Sequence, residues 1–428
     1  MKHPRAKLYI SFFDLLNAYI KILFGIDSQE GKYVKKFENL LENYWSRKKC
    51  FTLSTCRLAL YYVLKSFNLK EGDEILLSPL QIPDFINAIL NLKLKPVFVE
   101  MDTETKCMDL KDLEKKINNK TKAVLVTYLT GIVPDIVKIR EICNKKKLLL
   151  VEDISQSYGS SYKNGKAGTF GDAAIGSLSP AKIISSIGGG FILLDDDQKI
   201  NKVASYLKNE LSLPPKKTLL KICSFQLKVS LLTSTIVFNL FSYYIFYFLS
   251  IFFKKKFHEL HNPSFKYSHK DKTIYDNPTI IRNLPKEIFF KFTDLQAKIA
   301  IKTFNKNINY GLKKRQELAK ILYENLSDKV KPYIPTIITK YENNCFWHFP
   351  IVLEEKMTEQ FQSYLMKKGY DVVGYGLKLC NEEKVFENYK SSLSNARTLH
   401  KNTLFLPLFD NLSNQEIKKI AKNINLFF

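Results

Sequence analysis

A chain of 428 residues with 45% hydrophobic and 25% charged residues is too long and too apolar to stay disordered, and it has the length for two domains. Its formal net charge of +24 favours anionic partners such as diphosphates or an acidic lipid surface, but the lysines run along the whole chain without an arginine-rich arm, which argues against nucleic acid. Seven scattered cysteines, Cys50, Cys56, Cys107, Cys143, Cys223, Cys345 and Cys380, are odd in number and never spaced as CxxC. That pattern indicates neither a disulfide framework nor a zinc site, and it fits a reducing, cytoplasmic setting.

The first 50 residues read as a helical segment. Residues 1–11 are basic and 12–24 apolar, but Asp14 and Lys21 interrupt the run and no small-residue cleavage site follows, so no signal peptide is expected. From 51 to about 195, strands and helices alternate. Apolar or β-branched runs at 74–77, 96–101, 123–129, 148–152, 173–178 and 190–194 are mostly continuous, as buried parallel strands are. Helical patterns lie between them at 58–67, 83–92, 110–117 and 135–146. This order predicts a parallel sheet covered by helices, with ligands at the carboxyl ends of its strands.

Two residues of this region suggest a chemistry. Asp153 stands at the end of the strand 148–152, and Lys182 follows the strand 173–178 in Ser177-Leu178-Ser179-Pro180-Ala181-Lys182. A pyridoxal phosphate enzyme requires a carboxylate to keep the ring nitrogen protonated and a lysine to hold the aldehyde. Ser54 and Thr55 precede the apolar run 58–64, so a hydroxyl can cap a helix whose free N–H groups make a phosphate site. Thr55, Cys56 and Arg57 are the phosphate candidates; an ordinary capped helix is the alternative. The glycines Gly188 to Gly190 suit a tight turn or close backbone packing.

The ordered set Gly72-Asp73-Glu74-Ile75, Lys95-Pro96-Val97-Phe98-Val99-Glu100-Met101-Asp102, Val151-Glu152-Asp153-Ile154-Ser155-Gln156-Ser157-Tyr158-Gly159, Gly168-Thr169-Phe170-Gly171-Asp172-Ala173 and 177–182 resembles the DegT/StrS family of sugar aminotransferases. The resemblance is close over 37–195, and a weaker echo returns at Thr293-Asp294-Leu295-Gln296-Ala297, Arg315 and Leu406-Pro407-Leu408. It implies an α/β fold of the aspartate-aminotransferase type (pyridoxal phosphate fold type I), with a large domain of mostly parallel sheet flanked by helices and a smaller C-terminal α/β lobe. It further implies a homodimer with sites at the subunit interface, and transfer of an amino group, usually from glutamate, to a nucleotide-linked keto sugar. Carried over residue by residue, Asp153 would pair with the pyridinium nitrogen, Gln156 would lie near the ring and its phenolic oxygen, and Ser177 would bind the phosphate together with Thr55, Cys56 and Arg57. Lys182 would carry the cofactor and, once displaced by the donor amine, act as the base.

The chain also departs from that family. Gln81-Ile82 stands where relatives commonly have a Thr-aromatic pair, Tyr128 where many have histidine, and Phe289 about where an asparagine reaches the partner's phosphate. These changes bear on the substrate more than on the cofactor. A catalytically inactive scaffold at a membrane surface is the rival from another class. Related sugar dehydratases replace the lysine by histidine, so Lys182 favours amino transfer over dehydration.

Residues 229–253 carry no charge and are rich in Phe, Tyr, Leu and Ile, with lysines at 216, 217, 221 and 228 before and 254–256 after. As one helix this stretch would measure roughly 37 Å, enough to span a hydrocarbon core. A single crossing would separate the C-terminal part from the sheet it is expected to pack on. Three readings stay open: a helical hairpin in one leaflet, an amphipathic pair on the membrane surface, or an insertion packed on protein. Peripheral contact through 219–257, at the inner face of the membrane, is the expectation.

The chain then divides into a helical segment 1–50, a cofactor-binding domain 51–210, an apolar and basic insertion with its linker 211–278, and a small domain 279–428. In the small domain, helices are expected at 289–305, 312–326, 358–368 and 414–425, and strands at 346–353 and 371–373. His258 and His261 form an HxxH spacing with no third ligand, so a solvated helix end is expected there instead of a metal. His348 reads as a core histidine, with substrate binding as the alternative, and Arg397 as either a donor-carboxylate ligand or an interface salt-bridge partner.

Overall fold

The computed structural model describes residues 2–4, 8–253, 284–339 and 343–428; the expected linker at 262–278 and the pair His258 and His261 lie outside them. Helices α1 (Phe12–Leu23) and α2 (Lys32–Trp45) lead into strand β1 (Lys49–Leu53). Then come α3 (Cys56–Ser66), β2 (Glu74–Leu77), β3 (Leu80–Gln81), α4 (Pro83–Asn91), β4 (Lys95–Phe98), α5 (Leu110–Lys116), β5 (Thr121–Thr127), α6 (Ile136–Lys146) and β6 (Leu149–Asp153). A small hairpin, β7 (Ser161–Tyr162) and β8 (Gly165–Lys166), precedes β9 (Ala173–Ser177), β10 (Gly190–Leu194) and α7 (Asp197–Glu210).

The sheet has seven strands in the order β1-β10-β9-β6-β5-β2-β4. Strands β9, β6, β5, β2 and β4 run parallel, while β10 is antiparallel to β9 and β1 antiparallel to β10. The strand β1, which carries no long apolar run, and the reversal at β10 both depart from the sequence expectation. A β9–β10 connection of loop and turn, with no crossover helix, allows only the antiparallel return.

Side chains alternate across the strands. Ile75, Leu77, Leu125 and Val151 join α3 and α4 in one apolar layer. Leu76, Val124, Val126 and Leu150 join α2, α6 and α10 (Asp294–Phe304) in the other. The sheet is therefore buried on both faces, which is why its strands read as unbroken apolar runs.

The insertion breaks into two helices: α8 (Lys216–Leu232) ends at Thr233-Ser234, and α9 (Thr235–Phe252) follows with a π-helical turn at Phe238–Ser242. Polar Thr233 and Ser234 turn their hydroxyls back onto Val229 O and Leu231 O, a local bonding pattern that competes with helix continuation. The C-terminal lobe contains α11 (Leu312–Glu324), β11 (Phe349–Val352), α12 (Glu355–Lys367), β12 (Lys378–Leu379), α13 (Ser394–Asn402), β13 (Thr403–Leu406) and α14 (Asn414–Asn425). Here β11 pairs with β13 antiparallel, while 371–373 makes only a single bridge, Val373 to Phe405. The short β12 reaches across to pair with β3 of the large sheet region.

Candidate active site

Neighbouring carboxylates at the end of β6 point to opposite faces of the sheet and have different fates. Glu152 faces the α2 and α6 layer and is saturated: it accepts from Tyr128 Oη at 2.6 Å and from the N–H groups of Gly168, Phe170 and Gly171 at 2.8, 2.7 and 2.6 Å. Asp153 faces the start of α3. Its Oδ1 accepts from Ser155 N at 3.0 Å, and a carboxylate has room for more donors than that. Burial raises the Asp153 pKa, while the Ser155 hydrogen bonds and the Lys182 charge hold it down. Tyr128 thus serves Glu152 in the core, where it is buried, which accounts for one departure from the family pattern.

Lys182 sits in the loop after β9, its N–H bonded to Ser179 O at 3.0 Å. Desolvation lowers its amine from 10.5 to about 8, opposed by the nearby Asp153, Cys56 and Cys345. Its Nζ lies 4.0 Å from the centre of the Trp347 ring, and Trp347 Nε1 donates to Ala181 O at 2.8 Å. An aromatic ring therefore reaches the lysine from the C-terminal lobe, while Ile82, at the start of α4, packs against the core instead. The residue after Trp347, His348, stacks on Phe405 with centroids 4.5 Å apart; desolvation, then the Lys182 charge, lowers its pKa to about 3. The sequence shows an aromatic cluster at 346–349, but nothing in it places that cluster beside residue 182.

The helix start at Thr55 is built tightly. Thr55 Oγ1 accepts from Leu58 N at 3.3 Å, so the N–H groups of Cys56 and Arg57 precede the helical ladder. The Arg57 guanidinium is committed to Asp84 at 2.6 Å, which leaves its backbone N–H as the group for an anion. A Cβ on Gly190 would lie 2.4 Å from Cys56 N, so glycine is required where β10 passes under this helix end. Cys56 Sγ lies 3.5 Å from Ser155 Oγ, which ties the helix start to the strand end bearing Asp153. Ser177 ends β9 with its Oγ accepting from Ser179 N at 3.3 Å.

Gln156 Oε1 accepts from Thr130 N at 2.8 Å. Thr130 has φ +60°, a conformation that a threonine keeps only when its surroundings hold it. Phe289 packs on Tyr61 and Tyr62 at 6.1 and 6.4 Å between centroids. Arg397 is paired with Glu382 at 2.7 Å.

The loop that follows Lys182 is fastened by residues whose role the sequence did not reveal. Gln296 Nε2 donates to Ile187 O at 3.0 Å and Gly188 O at 3.3 Å, Thr303 Oγ1 to Ser185 O at 2.8 Å, and Asn307 Nδ2 to Ile183 O at 2.8 Å. Helix α10, which carries Gln296 and Thr303, also carries Asp294, whose Oδ1 accepts from Tyr33 N at 2.9 Å and Val34 N at 3.0 Å at the start of α2. This is the physical content of the Thr293-Asp294-Leu295-Gln296-Ala297 motif. Buried Arg315 donates from Nε to Cys345 O at 2.9 Å, positioning the backbone two residues before Trp347.

Comparison with known proteins bears on the family and the fold. The sequence profile described as the DegT/DnrJ/EryC1/StrS aminotransferase family matches residues 16–239 and 253–425. GDP-perosamine synthase of Escherichia coli O157:H7 is 35% identical over 169 residues, 40% of this chain and 46% of that protein. The Vibrio cholerae GDP-perosamine synthase is 32% identical over 186 residues, 44% and 50% of the two chains. The chain thus spans about half the length of the curated relatives it matches. Helicobacter pylori PseC, an aminotransferase involved in pseudoaminic acid biosynthesis, superposes with a TM-score of 0.73 at 17% identity, covering 100% of this chain and 99% of the other. An E. coli GDP-4-keto-6-deoxy-D-mannose-3-dehydratase with bound hydrated PLP gives 0.71 at 18% identity, covering 99% of each. These structures establish the fold, that of fold type I, and the profile match the family. The chain belongs to the DegT/DnrJ/EryC1/StrS aminotransferase family.

Proposed function

We propose that this protein is a pyridoxal phosphate-dependent aminotransferase that moves an amino group from an amino acid, glutamate first among candidates, to a nucleotide-linked keto sugar. The observation that carries the reading is the pairing of Asp153, a buried carboxylate with acceptor capacity to spare, with Lys182, an amine desolvated to a pKa of about 8. Perturbed groups of this kind, brought together at the carboxyl ends of a parallel sheet, mark functional sites.

The residues fit the cofactor by their chemistry. Asp153 would hold a proton on the ring nitrogen. The N–H groups of Cys56 and Arg57, at the positive end of α3, would bind the phosphate with the hydroxyls of Thr55 and Ser177. Gly190 keeps the backbone beneath that helix end close enough to form the cradle. Pyridoxal phosphate, when bound, supplies an aldehyde that takes up the amino group and a ring that draws electrons from the neighbouring carbon. Lys182 Nζ, neutral at pH values above about 8, would be the attachment point and the base that takes the α-proton of the donor. The Trp347 ring against Nζ limits the directions the amine can take. Both half-reactions would use one pocket, which calls for ping-pong kinetics.

Relatives named GDP-perosamine synthase and dTDP-3-amino-3,4,6-trideoxy-alpha-D-glucose transaminase support a sugar carried on a nucleoside diphosphate. The family resemblance also supports a homodimer with sites at the interface, which light scattering on the purified protein tests. For the function itself, the protein is incubated with pyridoxal phosphate, glutamate and a panel of GDP- and dTDP-linked keto sugars. A new visible absorbance band, its loss on borohydride reduction, and an aminated sugar by mass spectrometry are expected. A protein that stays colourless with added cofactor would sink the reading.

A further inference from the structure

Apart from Leu213, Tyr310 and Leu426, every large apolar side chain exposed among the described residues lies between Phe12 and Ile26 or between Leu231 and Phe253. On α9 the exposed set is Ile236, Leu240, Phe241, Tyr244, Ile245, Phe248, Ile251 and Phe252, which recurs every three or four residues and so forms a stripe along one side. The opposite side is fastened to protein: Phe238 and Tyr243 are buried with Met366 of α12, and Tyr243 Oη donates to Met366 O.

The two exposed stretches are linked through α8. Helix α8 runs antiparallel to α1, with Lys216 Nζ bonded to Leu23 O at one end and Cys223 Sγ 3.3 Å from Leu15 O further along. That path carries the end of α8 along α1, and the start of the chain is tied to α9 where Lys2 N donates to Asn239 Oδ1 at 2.8 Å.

Helix α9 is long and apolar enough to cross a membrane, but its attachment rules out a single crossing. Lys291 N donates to Ser212 O at 2.8 Å and Ser212 N to Phe289 O at 3.4 Å, so the chain leaves for the insertion and returns from it at one point on the sheet body. A surface of this size and composition marks an interaction site. The described part of the insertion, 211–253, carries Lys216, Lys217, Lys221 and Lys228 and no aspartate or glutamate, and three more lysines follow it in the sequence; Asp14 of α1 is paired with Lys302 at 2.7 Å.

We infer that α1 and α9 form one apolar face that docks in the plane of an anionic lipid surface, the lysines supplying attraction to the headgroups. A helix that is apolar on one side, packed on protein on the other and flanked by lysine matches interfacial insertion, not spanning. The enzyme would then work at a membrane face, suited to a product handed on to a lipid-linked acceptor.

The test is sedimentation of the full-length, cofactor-loaded protein with vesicles of equimolar phosphatidylcholine and phosphatidylglycerol, and with phosphatidylcholine alone. Expected is pelleting with the mixed vesicles, weakened by salt, with Phe241→Glu/Phe248→Glu reducing the partition coefficient by roughly tenfold or more. Phe13→Ser/Phe24→Ser, on α1 and at its C-terminal cap, should act in the same direction, and serves if the first variant loses its circular dichroism signal. Equal partition of wild type and a folded variant would overturn the inference, as would a wild type that stays in the supernatant. So would a variant that changes only the molecular mass seen by light scattering without vesicles, since the face would then belong to a second copy of the chain.

Discussion

Asp153 is a buried carboxylate and Lys182 a half-buried lysine whose amine is desolvated, whereas Phe241, Ile245 and Phe248 are large apolar side chains left in water. Each set breaks the ordinary rule of burial in its own direction, and each costs stability unless something else is gained. At the sheet end, the gain is a carboxylate and an amine held ready by fixed neighbours. Along α9, it is a surface that another phase can cover. A buried core leucine tells little about function; these two exceptions tell most of what the molecule shows.

The strongest way to break the comparison is at Lys182. Lys182→Ala should abolish covalent retention of the cofactor, seen as loss of the borohydride-fixed mass, and lower amino transfer by about a thousandfold or more, while the far-ultraviolet spectrum is kept. Retained activity in this variant would remove the lysine from the site. The two faces of α9 give the next contrast by urea unfolding. Phe238→Ala, at a fully buried position, should cost about 3–5 kcal/mol, and Phe248→Ala, at a position 52% exposed, should stay within about 0.5 kcal/mol of wild type. Equal costs would mean that the exposed side is in fact covered.

Gly190→Ala is expected to cost about 1–3 kcal/mol by overpacking, because the new Cβ would lie 2.4 Å from Cys56 N. The same variant should weaken pyridoxal phosphate binding in a fluorescence titration, since the strain falls on the helix start proposed to hold the phosphate. The smallest effect concerns acid. The His348 pKa is lowered from 6.5 to about 3 in the folded protein, so the unfolded state takes up a proton that the folded state refuses. Stability from this group is present above pH 6.5 and is lost as the pH falls toward 3, by at most about 1.4 kcal/mol per unit and less because the ring is only partly covered. Thermal midpoints from pH 7 to pH 4 should therefore fall less steeply in His348→Phe than in wild type.

Strands β2, β5, β6, β9 and β10 and the helices between them were legible because burial on both faces leaves continuous apolar runs, a signal carried by each segment alone. Asp153, Lys182 and the capped start of α3 were legible for a similar reason: strand end, loop lysine and N-cap are local patterns, and the structure brings them to one sheet end. Edge strand β1 was not legible, since five residues beside a lysine run take their identity from the β10 ladder.

What the sequence by itself determined is therefore the alternation of elements, the chemistry of the residues at the strand ends and the apolar character of 229–253. Tertiary structure alone decided that Tyr128 serves Glu152, that Trp347 meets Lys182 across 164 intervening positions, that Gln296 fastens the Lys182 loop, and which side of α9 packs on Met366. The physical reason is range. Periodicity and capping act within a few residues, whereas these contacts depend on where the chain returns after long excursions.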